Sequence, residues 1–160
     1  MGDMKCYLAG YIQGSKLDEC LEWRKRIRDH YESYKGKRYP IDWLDPLNGQ
    51  EMATISQDGL RSSVPANSII HRDYTSVMKS DIIVVNMDTF GESRPLTGTI
   101  CGLAWAWEHH KPIVMITDED KYKYHPFISY FASWIVKDVD ELLEKKVINY
   151  FYKGWNNAIY

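Results

Sequence analysis

Ser80-Asp-Ile-Ile-Val-Val-Asn-Met-Asp88, Gly91-Glu-Ser-Arg-Pro-Leu-Thr-Gly-Thr99, Ile100-Cys-Gly-Leu-Ala-Trp-Ala-Trp107 and Lys111-Pro-Ile-Val-Met-Ile-Thr117 follow one another closely along the chain. The first is a β-branched apolar run of strand length, the second a loop rich in turn residues. The third is an apolar segment of helix length and the fourth a second apolar run of strand length. Strand, loop, helix and strand in that order predict a parallel crossover. Neither strand alternates polar with apolar residues, which is the pattern expected when helices cover both faces of a parallel sheet. Ligands of such sheets sit at the carboxyl ends of the strands, which points to the loop from Asn86 to Thr99.

Working outward, Lys5-Cys-Tyr-Leu-Ala-Gly10 predicts a first strand ending in glycine, followed by a loop from Tyr11 to Lys16. Leu17 to Tyr34 reads as an amphipathic surface helix. Its apolar stripe is Leu17, Cys20, Leu21, Ile27 and Tyr31, with Glu19, Arg24, Lys25, Arg28 and Asp29 mostly elsewhere. A second strand, Tyr39 to Pro46, breaks at its proline, which cannot donate to a ladder. Leu47 to Asn67 is polar and rich in turn residues, and a loop of about 20 residues in a compact domain suits a lid or binding segment. Ile69 to Lys79 predicts a short helix leading into the strand at Asp81.

After Thr117 come a charged, tyrosine-rich link (Asp118 to His125), a short helix around Pro126 to Ala132 and a strand around Ser133 to Val136. Asp138 to Tyr152 reads as a closing helix. Asp138 is its N-cap and Glu141 stands three residues on, close to a capping box. Five strands alternating with helices predict one domain over residues 1–160, a flavodoxin-like three-layer α/β sandwich with a five-stranded, mostly parallel sheet.

The 160 residues suffice for a sizeable core. A formal charge of −2 with acids and bases interspersed does not indicate a nucleic-acid-binding surface. Cys6, Cys20 and Cys101 are odd in number and match no metal spacing, so they read as reduced thiols of a cytoplasmic protein. No signal peptide is evident, and no apolar run approaches the ~20 residues of a membrane span. Twelve Tyr and six Trp are many for this length, and suit a pocket for a flat ligand or a subunit interface.

Motifs of dinucleotide and triphosphate folds are absent, as are a nucleophile elbow and a His/Cys metal cluster, so neither a cofactor nor a metal is expected. His109 and His110 are adjacent at a helix end, where their side chains diverge and a surface role is the simpler reading. His71 suits a solvated or capping role. Gly98-Thr99 before the central helix suggests an oxygen-binding site built from backbone N–H groups.

Tyr7-Leu-Ala-Gly10, Arg72-Asp73, Ser80-Asp-Ile-Ile-Val-Val-Asn-Met-Asp88, Gly98-Thr99, Leu103-Ala-Trp-Ala106 and Lys111-Pro-Ile-Val114, in this order, resemble the nucleoside 2-deoxyribosyltransferase family. Ser133-Trp134 and the ending Gly154-x-x-x-Ala158-x-Tyr160 resemble it too. The resemblance implies cleavage of the N-glycosidic bond of a (deoxy)nucleoside or nucleotide and transfer of the sugar to a free base or to water. Catalysis would follow the logic of a retaining glycosidase, with a carboxylate nucleophile and a second group serving the leaving base. By motif, Tyr7 would orient the nucleophile and Asp73 would serve the base and its proton. Gly10, Asp88, Ser93, Arg94, Gly98 and Thr99 would line the sugar or base pocket. Tyr160, in a tail that reaches a neighbouring subunit in the family's bacterial members, implies a homo-oligomer with a shared site.

One departure stands against these matches. The family's nucleophile lies in a Gly-Thr-x-x-Glu pattern, and the corresponding residue here is Gly102. Three accounts stay open. The chain is a variant, natural or engineered, of an enzyme with glutamate at this position. Its nucleophile has moved to a nearby acid such as Glu92, Asp88 or Glu108. Or it is a non-catalytic module that senses or sequesters a nucleoside or nucleotide. Without the resemblance, Asp73 would read as a helix-face acid and Tyr7 as a core tyrosine.

Overall fold

The structure, a computed structural model, describes residues 3–12, 15–32, 40–47, 52–56, 59–62, 65–93 and 95–155. Its elements run β1 (Met4–Gly10), α1 (Leu17–Glu32), β2 (Ile41–Leu44), β3 (Met52–Ser56), β4 (Gly59–Ser62), α2 (Ala66–Lys79), β5 (Ile82–Asn86), α3 (Thr97–Glu108), β6 (Ile113–Ile116), α4 (Asp120–Lys123), α5 (Ile128–Phe131), β7 (Trp134–Val136), α6 (Val139–Glu144) and α7 (Val147–Trp155). Five strands form one sheet in the order β2-β1-β5-β6-β7, and every pairing in it is parallel. Counting only these strands, the order is the 2-1-3-4-5 of a flavodoxin-like fold.

Alternation along the strands sorts the core into two layers. Cys6 and Leu8 of β1 with Ile82 and Val84 of β5 pack against Trp23 and Ile27 of α1 and Leu142 and Ile148 of α6 and α7. Tyr7 and Ala9 with Ile83 and Val85 face the other way, against Val77 of α2 and Leu103 and Ala106 of α3. All of β5 is buried, which is why its sequence carries no polar alternation. The chain leaves β1 toward β2 over one face and β5 toward β6 over the other. Their carboxyl ends, with Gly10 opposite Asn86, flank the crevice at the topological switch point. A Cβ at Gly10 would stand 2.8 Å from Trp23 Cζ2 and 3.3 Å from the Asn86 carbonyl oxygen, so this close approach requires glycine.

Four expectations are corrected. The segment read as a loop from Leu47 to Asn67 holds an antiparallel hairpin, β3 with β4, and the first turn of α2. The closing helix is two helices, broken at Lys145 and Lys146, the latter at φ 51°. On α1 it is Arg24 that lies fully buried and Leu21 that is exposed, because Cys20, Arg24, Ile27 and Tyr31 share the inner face. The charged link after Thr117 contains the short helix α4. Asp138 caps α6 as expected, its side chain accepting from the Glu141 N–H at 2.8 Å. Arg94 and Tyr160 lie outside the described residues.

Candidate functional site

β1 carries Tyr7 onto the face covered by α2 and α3, and α2 brings Asp73 to it. The Tyr7 phenol and the Asp73 carboxyl act on each other side chain to side chain. The carboxylate oxygen Oδ1 of Asp73 is buried and has no hydrogen-bond partner among the described residues. Burial raises the Asp73 carboxyl above the usual aspartate range, against the opposing pull of Arg72, the Tyr7 hydrogen bond and Arg24. Burial, then the charge of Asp73, pushes the Tyr7 phenol upward, so its proton stays on the oxygen. The pair therefore combines a fixed hydroxyl donor with a carboxyl that holds its proton more tightly than an exposed aspartate, which suits proton transfer to a leaving group.

The carboxyl end of β5 is shaped by its own side chains. Asn86 Oδ1 accepts from the Asp88 N–H at 3.0 Å, and Asp88 Oδ1 accepts from the Phe90 N–H at 2.7 Å. These consecutive Asx turns lead into two positive-φ residues, Phe90 at 54° and Gly91 at 82°. Asp88 thus stands just past the carboxyl end of β5, with one oxygen engaged in forming the turn. Ser93 and Gly98 are exposed and Thr99 is half-buried, at the loop and the first turn of α3. The residue preceding that helix, Leu96, gives no side-chain cap, and the first turn bears no acid, so its N–H groups favour anionic or sugar oxygens.

Gly102 lies in the second turn of α3 and is buried, yet a Cβ built on it meets no heavy atom beyond its own helix backbone within 4 Å among the described residues. The backbone there leaves room for a side chain and supplies none. Of the nearby acids, Glu92 is exposed on the loop and Glu108 is exposed at the far end of α3, while Cys101 is also exposed. No group of three or more metal-ligating side chains occurs among the described residues, and no helix there is long and apolar enough to cross a membrane.

Sequence reasoning missed a buried ionic cluster behind β1. Arg24 donates from Nη1 to the Cys20 carbonyl at 2.7 Å, from Nε to that of Leu8 at 3.3 Å and from Nη2 to that of Gly10 at 3.4 Å. Its Nε also lies 3.7 Å from Asp45 Oδ1, and Arg28 Nη1 lies 2.8 Å from Asp45 Oδ2. Position carried the signal: Arg24 stands four residues after Cys20 and three before Ile27, on the apolar stripe.

Fold and site define a doubly wound α/β protein with a buried phenol and a half-buried carboxyl on the face that α2 and α3 cover. Among solved structures, the chain is similar to a CMP N-glycosidase, BcmB, from Clostridium botulinum, at 15% identity over 91% of this chain and 98% of that one, with a TM-score of 0.54. It is also similar to a 2-desoxiribosyltransferase from Leishmania mexicana, at 18% identity over 74% of this chain and 71% of that one, with a TM-score of 0.47. At such identities the likeness to the glycosidase is one of fold. No protein-family profile and no curated protein sequence matches the chain.

Proposed function

We propose that the chain is a nucleoside 2-deoxyribosyltransferase-like protein acting on the N-glycosidic bond of a (deoxy)nucleoside or nucleotide, with Gly102 at the position of the nucleophile. The observation that carries this reading is the pairing of the buried Tyr7 phenol of β1 with the half-buried Asp73 carboxyl of α2. In the reaction the bond between C1' and the base nitrogen breaks. In a form with glutamate at position 102, Asp73 gives its proton to the departing base and the glutamate carboxylate takes the anomeric carbon, a nucleophile that Gly102 itself does not supply. The covalent sugar then passes to a free base or to water, with retention at C1'. The open space at Gly102 supports the assignment, since a glutamate side chain meets no obstruction at its first carbon.

A second reading is a binder of nucleosides or nucleotides without turnover, favoured by the lack of any carboxylate on Gly102 itself. Paired incubations decide between them. The chain and its Gly102→Glu form are each mixed with deoxynucleosides, deoxynucleotides and a free acceptor base, then examined for base release and for a covalent sugar adduct by mass spectrometry. Release and adduct in the Gly102→Glu form alone are the expected outcome. Saturable binding with no release by either form favours the binder, and the absence of both binding and release defeats both readings.

A further inference from the structure

The ladder between β1 and β2 stops at Tyr7 with Leu44, whereas β1 continues beside β5 to Gly10. Beyond Tyr7, the β2 side of β1 has no strand neighbour among the described residues. Arg24 takes that place, donating to the carbonyls of Leu8 and Gly10, and Asp45, the first residue after β2, faces its guanidinium. Two side chains thus extend a strand pairing that the backbone has ended.

The contacts close into a ring around the end of β1. Arg24 holds Leu8 and meets Asp45, and Asp45 is followed by Pro46, whose carbonyl accepts from Arg72 Nη1 at 3.5 Å. Arg72 precedes Asp73, whose carboxyl interacts with the Tyr7 phenol, and Tyr7 precedes Leu8. The ring passes from one face of the sheet round its edge to the other. Asp45 is fixed within it by the Leu47 N–H at 2.9 Å and by Arg28.

Withdrawing a guanidinium and a carboxylate from water is unfavourable unless hydrogen bonds and charge pairing compensate, and an apolar pair of equal volume is often no less stable. Stability alone is therefore a weak reason for this arrangement. We infer that Arg24 and Asp45 are positioning residues of the candidate site, holding the carboxyl end of β1 in register with α2 so that Tyr7 and Asp73 meet. The inference rests on the reading that Tyr7 and Asp73 form the reacting pair. The charged or titratable groups acting on Asp73 are Arg72 on its own helix, Tyr7 on β1 and Arg24 on α1.

The test follows the Asp73 carboxyl by carbon NMR of aspartate-labelled full-length protein, with the resonance assigned through Asp73→Asn. Arg24→Met removes a positive charge while leaving Asp45 paired with Arg28, and is expected to shift the Asp73 titration upward. Asp45→Asn leaves the Arg24 charge without its counter-charge, and is expected to shift it downward. Opposite directions mark an electrostatic and geometric coupling, whereas general loosening moves both variants the same way. Unmoved titrations or shifts of one sign overturn the inference. Failure of both variants to fold also overturns it, by making the pair a support of the whole fold. If one alone folds, the direction of its shift decides. No substrate enters the measurement, so the expected shifts without base release by Gly102→Glu would sink only the N-glycoside reading.

Discussion

The Tyr7 phenol of β1 meets the Asp73 carboxyl of α2, a helix that the chain reaches only after α1, β2 and the hairpin of β3 and β4. The contact sits in a layer otherwise built from Val77, Ile83, Val85 and Leu103. A carboxyl group held there loses hydration, and the direction of its shift follows from that loss.

Asp73→Asn is expected to stabilise the protein at neutral pH. The folded-state carboxyl titrates above its unfolded value, so ionisation is disfavoured in the fold. Stability is then greatest below the unfolded value of ~3.9 and declines as pH rises through the higher folded value. The Asn form lacks that decline. Because the group is partly solvated, the gain at pH 7 should be no more than about 1 kcal/mol, a rise of ~2–4 °C in melting temperature for a chain of this size. Melting curves at pH 3 and pH 7 check the sign: the two proteins should differ more at pH 7.

Gly10→Ala should lower stability by about 1–3 kcal/mol, as overpacking does, because its methyl group meets Trp23 Cζ2 at 2.8 Å and the Asn86 carbonyl at 3.3 Å. Trp23→Phe removes the first of these obstacles. Urea titrations of the two single variants and the double variant should therefore be non-additive, with the double variant losing less than the sum. Additive losses would show that Trp23 is not what confines this position.

The central crossover was legible because β5 and β6 are buried on both faces, and burial leaves a continuous apolar run. The hairpin was not, since Met52-Ala-Thr-Ile-Ser56 and Gly59-Leu-Arg-Ser62 are too short and mixed to stand out, although Asp58-Gly59, leading into the second, is a recognised hairpin signal. The break in the closing helix has no proline, glycine or asparagine to mark it, only Lys146 at positive φ. In the site, Tyr7, Asp73 and Gly102 were reached through resemblance, because no local periodicity links residues of β1, α2 and α3. Arg24 was missed because its charge counted for more than its place on the stripe.

Asp138→Ala should cost about 1 kcal/mol, the usual worth of an N-cap. Its carboxylate accepts from Glu141 at 2.8 Å, while Glu141 Oε2 accepts from the Lys137 N–H at 2.6 Å. The Lys137 N–H, then Lys145, hold the Glu141 carboxyl below the usual glutamate range. This part of the cap is present above the unfolded glutamate value of ~4.3 and is lost as pH falls through the lower folded value. Thermal melts should show Glu141→Gln less stable than the parent at pH 7 and the difference shrinking toward pH 3.

Gly102→Ala is expected to raise stability by about 1 kcal/mol, or ~2–4 °C, because glycine is that much poorer than alanine inside a helix and the added methyl group meets nothing within 4 Å. The result separates two reasons for a glycine. If packing demanded it, alanine would push α3 away from the sheet and the melting temperature would fall. A rise instead means that neither the backbone nor the core selects glycine at 102. What then distinguishes this residue is the space it leaves open on α3, the position that the proposed function gives to a nucleophile.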